Sequence, residues 1–197
     1  MILYLKKEGL INPDCSDYAK IDFAEKYAIK GDIVKAVIAY LLMCDENPFS
    51  LSLELSGGRG TAEEFAKRDI EYLRLKFFDD HKEFKNYIPM RQNLSNEDRR
   101  IGKLIEKFSA ELERCKDSGS FFLCVKQFYQ TYGVGAFGIN KAFYMQDNGS
   151  LVPVSHIREA KFDDIYGYES QKQKLIQNTA AFARGEVANN VLLYGDR

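Results

Sequence analysis

An apolar run, Val191, Leu192, Leu193 and Tyr194, stops at Gly195 and is followed by Asp196 and Arg197. A strand ending in glycine is how a phosphate-binding loop of the form GxxxxGK plus Ser or Thr opens. In such a loop backbone N–H groups cradle phosphates, the lysine neutralises their charge, and the hydroxyl holds Mg²⁺ where a helix begins. Gly195, Asp196 and Arg197 fill its first three places, and the residues that would carry the chemistry are not among the 197 of the sequence. A strand ending in glycine is also common without any ligand, so the reading needs support from what precedes it.

Other groups with chemical potential are less telling. Ser56 to Glu64, SGGRGTAEE, sets glycines before a helix start, where free N–H groups favour anions. It lacks the lysine and hydroxyl of a phosphate loop, and a flexible turn capped by Thr61 explains it. Cys15, Cys44, Cys115 and Cys124 have no CxxC spacing, and His81 and His156 lie far apart. Neither a zinc site nor a Ser-His-Asp arrangement is indicated. Arg99, Arg100, Lys103 and Lys107 alternate with Glu97, Asp98 and Glu106 on one stretch, the pattern of a solvated helix face. The aromatic series Phe121, Phe122, Phe128, Tyr129 and Tyr132 reads as core.

The tail from Lys161 to Arg197, KFDDIYGYESQKQKLIQNTAAFARGEVANNVLLYGDR, resembles the opening of an AAA+ ATPase module. There a Phe-Asp-Asp-Ile-x-Gly-x-Glu segment leads into a helix and then into the Walker A strand. The resemblance is closest to a bacterial family of largely uncharacterised AAA+ ATPases with a long N-terminal region of unknown role. A vaguer likeness in GINKAFYMQDNGSLVPV reaches back to Gly138. The resemblance implies ATP and Mg²⁺ as cofactors of the intact parent. It implies main-chain and apolar contacts to the adenine base from Ile165, Tyr166 and Gly167, and a phosphate loop opened by Gly195, Asp196 and Arg197. On the residues alone, Gly167 reads as a helix-entry turn and Ile165 as a core residue.

These residues must be held by the elements around them. Leu175, Thr179 and Phe182 recur at i, i+4 and i+7 between Tyr168 and Arg184, with Gly185 in the place of a C-terminal cap. That predicts one amphipathic helix and, after Glu186 to Asn190, a strand over Val191–Tyr194 buried on both faces. Upstream the period is helical. Helices are expected over Asp17 to Lys30 and from Asp32 to Cys44, the latter ended by Asn47-Pro48. A third runs from Thr61, spaced with Glu64 as a capping box, to Phe77. A fourth runs from Ser95 to Leu112, and a fifth follows Asp117 or Ser118 and ends at Gly133. Between Gly133 and Ile157, two short apolar runs flank Asp147-Asn148-Gly149, a hairpin turn signal, and Pro153 restricts the second run to an edge or a strand start.

Hydrophobic residues at 45% and aromatics at 13% suffice for a core, while 28 Lys plus Arg against 29 Asp plus Glu leave a formal net charge of −1. No broad electrostatic footprint for nucleic acid follows. The longest apolar stretch, Ala36 to Cys44, is far short of a membrane span, and MILYLKKEGL runs opposite to a secretory signal, so a soluble cytoplasmic protein is expected.

The expected fold is mainly α: an irregular helical bundle, a β-hairpin, then the first helix and strand of an α/β AAA+ module. The expected divisions are 1–132, helical; 133–157, hairpin connection; and 158–197, an incomplete ATPase start. The implied function is a recognition or regulatory region of an ATP-binding AAA+ ATPase, cut inside Walker A by design or by an incomplete gene. The chain by itself is expected not to hydrolyse ATP. The competing class is a freestanding helical interaction module. The partner is an unnamed protein, with self-association expected through Val191, Leu192, Leu193 and Tyr194, because an interior strand without neighbours exposes backbone donors and acceptors.

Overall fold

The computed structural model describes residues 17–56, 60–80, 84–91, 93–154 and 161–193. It is mainly helical with one small antiparallel hairpin. The chain divides into two units, Met1–Ile157 and Arg158–Arg197.

In the first unit, α1 (Asp17–Tyr27) buries Phe23, Ala24 and Tyr27. It stops because Ala28 turns left-handed, φ +52°, so that the Ile29 N–H donates back to the Ala24 carbonyl at 2.9 Å. This is a glycine-type helix ending made with an alanine. Helix α2 (Ile33–Cys44) starts at Asp32, whose carboxylate accepts the Lys35 N–H at 3.1 Å. The sequence suggests one core-facing stripe here. The helix instead lies inside the bundle, with Ala36, Ile38, Ala39, Leu42 and Met43 buried alongside Ile33, Val37 and Leu41.

Asn47-Pro48 ends α2, as expected, and also starts a further helix, α3 (Pro48–Ser56). The Asn47 side-chain oxygen accepts the Phe49 and Ser50 N–H groups at 2.9 and 3.0 Å, and Pro48, with no N–H to leave unpaired, takes the first helical place. Helix α4 (Thr61–Leu73) is preceded by Gly60, not by a capping Thr61; Thr61 lies inside the helix, so the expected capping box is not formed. A π-helical turn, Arg74–Phe78, continues α4 and presses Phe78 edge-on against Phe121, ring centroids 5.1 Å apart.

Helices α5 (Asn96–Glu113) and α6 (Ser118–Tyr132) begin where the sequence places them, with Ser95 accepting the Asp98 N–H at 2.9 Å and Asp117 the Ser120 N–H at 2.8 Å. Phe108 and Phe128 stack between them at 4.2 Å, and Phe121, Phe122, Phe128 and Tyr129 are buried, so the aromatic series is core except for Tyr132, which is exposed at the end of α6. The Tyr129 hydroxyl donates to the Leu42 carbonyl at 2.9 Å, which satisfies a polar atom in that core. Gly133, φ +77°, closes α6, and a short α7 (Gly135–Ile139) follows. Strands β1 (Phe143–Met145) and β2 (Leu151–Pro153) then pair Tyr144 with Val152 around a turn at Gly149. Pro153 is the last residue of its strand, where its missing N–H costs no ladder bond.

The second unit, over its described residues, is a 3₁₀ turn (Phe162–Asp164), helix α8 (Glu169–Ala183) and a tail. Gly185, φ +72°, closes α8: its N–H donates to the Phe182 carbonyl and the Glu186 N–H to the Ala181 carbonyl. The Asn178 side chain holds the tail, donating to the Asn189 carbonyl at 2.7 Å and accepting the Asn189 N–H at 2.9 Å.

The expected buried strand at Val191–Tyr194 is not formed. Val191, Leu192 and Leu193 lie outside any strand and are exposed, while Tyr194 is outside the described residues. A strand buried on both faces needs hydrogen-bonded neighbours, and the one sheet among the described residues is the β1–β2 pair.

Candidate functional site

The segment that leads into α8 is a tight succession of local bonds. The Asp164 N–H donates to the Lys161 carbonyl at 3.0 Å and the Ile165 N–H to the Phe162 carbonyl at 3.2 Å, while the Asp164 carboxylate accepts the Lys161 N–H at 2.9 Å. Gly167 (φ +79°) and Tyr168 (φ +58°) then adopt left-handed conformations in succession. Glycine does so without strain, and Tyr168 does so against a steric penalty. The Lys172 ammonium reaches back to the Ile165 carbonyl at 2.9 Å and pairs with Glu169 at 2.6 Å, tying the turn to the first turn of α8.

The turn exposes four apolar or aromatic residues beside the charged Lys161, Asp163 and Asp164. Tyr166 is 92% exposed, and Phe162, Ile165 and Tyr168 are exposed with it. Ile165 has both main-chain groups engaged within the turn, so what it presents outward is its side chain. Among the described residues no hydrogen bond engages the main chain of Tyr166 or Gly167. Aromatic faces beside such main-chain groups offer stacking and edge hydrogen bonds to a planar heterocycle. Of the six expected nucleotide contacts, Ile165, Tyr166 and Gly167 are adjacent here; Gly195, Asp196 and Arg197 lie outside the described residues.

Residues 139–197 match the family model described as protein of unknown function, DUF815. The matched span takes in the hairpin, the turn, α8 and the tail. No curated protein and no solved structure matches the chain.

Elsewhere the chemistry is quiet. Among the described residues no group of His, Cys, Asp and Glu could hold a metal ion, and no helix is long and apolar enough to cross a membrane. Among the described residues Cys44, Cys115 and Cys124 form no disulfide, and burial pushes the Cys124 thiol up, which keeps it protonated and poorly nucleophilic. Cys15, His81, His156 and the glycine turn at Gly57, Gly58 and Arg59 lie outside the described residues.

The basic residues read as one solvated face are divided in the structure. Arg100 is held by the Glu97 carboxylate and the Ile139 carbonyl, and Lys107 donates to the Tyr132 hydroxyl at 3.1 Å. Arg99 and Lys103 instead line a groove against a different part of the chain. Spacing on α5 alone could have separated the two faces, but not the loop that builds the opposite wall.

Proposed function

We propose that residues 161–197 open an AAA+-type ATP-binding module, and that residues 1–157 form a helical recognition or regulatory domain attached to it. The observation that carries the reading is the state of the second unit: none of its described residues is buried, although it presents Ile165, Tyr166, Ile176, Phe182, Leu192 and Leu193. A capped helix followed by an uncovered apolar run suits a first helix and first strand awaiting the rest of a sheet. The match over residues 139–197 covers the tail from Lys161 whose sequence resembles such modules, together with the vaguer likeness that reaches back to Gly138. In that module the Tyr166 turn would lie against adenine. The loop opened by Gly195 would wrap the phosphates with backbone N–H groups, its lysine and its Mg²⁺ offsetting their charge.

The competing reading, a freestanding helical interaction module, draws on the first unit's own core, in which α2, α5 and α6 bury Ile38, Leu42, Ile105, Phe121 and Val125. The coding sequence beyond Arg197 separates the two. The Gly, Lys and Ser/Thr that complete the loop support the ATPase reading, and a stop codon supports the module. We also propose that Val191, Leu192, Leu193 and Tyr194 mediate self-association when nothing else covers them. Sedimentation of residues 1–197 beside 1–186, and of Leu193→Asp, tests this; a monomer in every case removes it.

A further inference from the structure

We propose that the first unit carries a binding site for a small phosphate-bearing anion, in the groove between α5 and the segment 84–91. The groove encloses about 480 Å³, within the range of small-molecule sites. Three separate parts of the chain bring cations to it: Lys30 from the turn after α1, Arg91 from the facing segment, and Arg99 and Lys103 from α5. Among the described residues Glu106 is the one carboxylate lining it, and its Oε1 accepts the Lys30 backbone N–H at 3.2 Å. Among the described residues no carboxylate pairs with the side chains of Lys30, Arg99 or Lys103. In a chain of net charge −1, this is a local excess of positive charge: four cations stand beside the Glu106 carboxylate and the Glu25 carboxylate that acts on Arg91.

The groove is held open by a frame that does not depend on a ligand. Gly31 and Tyr87 exchange two backbone hydrogen bonds of 2.9 Å, and the Ile33 N–H donates to the Phe84 carbonyl at 3.1 Å. The Glu25 carboxylate accepts the Tyr87 hydroxyl at 2.5 Å and the Met90 and Arg91 N–H groups at 2.9 and 2.7 Å, which fixes the wall bearing Arg91. On the opposite side Gly102 lets α5 approach α1 so closely that a Cβ there would stand 2.1 Å from the Tyr27 carbonyl oxygen. Fixed walls spare a ligand the ordering cost that otherwise weakens binding.

The ligand class follows from what stands round the groove. Guanidinium forks match phosphate oxygens in pairs, and lysines add point charge. Ile88, Pro89 and Leu94 supply an apolar wall for the rest of the molecule. A nucleic-acid strand or an extended acidic peptide would require the basic surface to run on along α5. It does not, because Arg100 and Lys107 are taken up by Glu97 and by Tyr132 and Glu111. The site is distinct from the Tyr166 turn and stands whether or not the second unit binds ATP.

The test is a titration of the full chain with inorganic pyrophosphate at low ionic strength, followed by amide NMR. Saturable shifts centred on Lys30, Arg91, Arg99 and Lys103 are expected. The single substitutions Arg99→Gln and Lys103→Gln should each weaken binding about tenfold or more, since each removes a charge-assisted contact. Lys107→Gln, of equal charge change on the other face, should leave affinity unaltered, and circular dichroism verifies that these exposed substitutions keep the fold. An absence of shifts up to about 10 mM overturns the proposal, as millimolar affinity is the weak end of specific recognition. So does an equal loss from Lys107→Gln, which would report bulk charge. Tighter binding of oligothymidylate or polyglutamate than of pyrophosphate would assign the groove to a chain-like partner and overturn the small-ligand claim.

Discussion

Replacing Gly102 with alanine tests whether the approach of α1 to α5 sets the geometry of the first unit. The added methyl would lie 2.1 Å from the Tyr27 carbonyl oxygen and 3.2 Å from its carbonyl carbon, and the nearest atoms are backbone, so a rotamer change cannot relieve the contact. The helices must part by about 1 Å. Overpacking of this kind costs roughly 1–3 kcal/mol. Against it, alanine gains up to about 1 kcal/mol over glycine in a helix interior. The net expectation is a loss of about 1–2 kcal/mol, or roughly 2–8 °C in Tm for a domain of this size. Thermal unfolding followed by far-UV circular dichroism measures it, and amide exchange should quicken at Ile29 and Gly31, which the α1 ending and the Tyr87 bridge protect. An unchanged Tm with unchanged exchange at those amides would refute the reasoning.

Ala28→Gly should stabilise by about 0.5–1 kcal/mol, because the left-handed ending of α1 puts a Cβ where glycine has none, and chemical denaturation reads the gain. Asp45, buried at the end of α2, has its carboxyl pushed up by burial, so its native state favours the neutral form and stability is lost as pH rises above the ordinary carboxylate range. Asp45→Asn removes that loss while keeping an acceptor for Asn47, so its stability relative to the parent should improve between pH 3 and pH 7; a difference independent of pH would contradict this. Residues 1–157 should unfold in one cooperative, helix-dominated transition without the second unit, since the buried cluster lies within them, and loss of that transition on deleting residues 158–197 would make the tail part of the core.

Periodicity and capping chemistry made most of the helices readable. Ser95 and Asp117 are helix starts whose side chains bond as their types suggest, and Gly133 and Gly185 end helices with positive φ. Where the reading failed, a local signal carried two meanings. Asn47-Pro48 both stops α2 and starts α3, and a proline after a helix signals the stop more plainly than the start. Thr61 has a capping residue's type, but Gly60 takes the cap position. The strand at Val191–Leu193 failed for a different reason. Hydrophobicity says what a segment would do in a sheet, and only neighbouring strands can make it do so. The candidate turn was legible because Ile165, Tyr166 and Gly167 are consecutive. The groove was not, because Lys30, Arg91 and Lys103 are brought together by the Glu25 and Gly31 contacts, which no local pattern announces.

The central claim, that the second unit opens an ATP-binding module, is tested most directly by calorimetry with Mg·ATP on residues 1–197 and on a polypeptide extended through a complete phosphate loop. The extended chain should bind with micromolar affinity and lose it when Tyr166 is replaced by alanine or the loop lysine is removed. Residues 1–197, without that lysine and hydroxyl, should show no tight binding; weak heat that disappears in Arg99→Gln, Lys103→Gln belongs to the groove. Micromolar binding by residues 1–197 that survives those two substitutions, or no binding by the extended chain, would contradict the account.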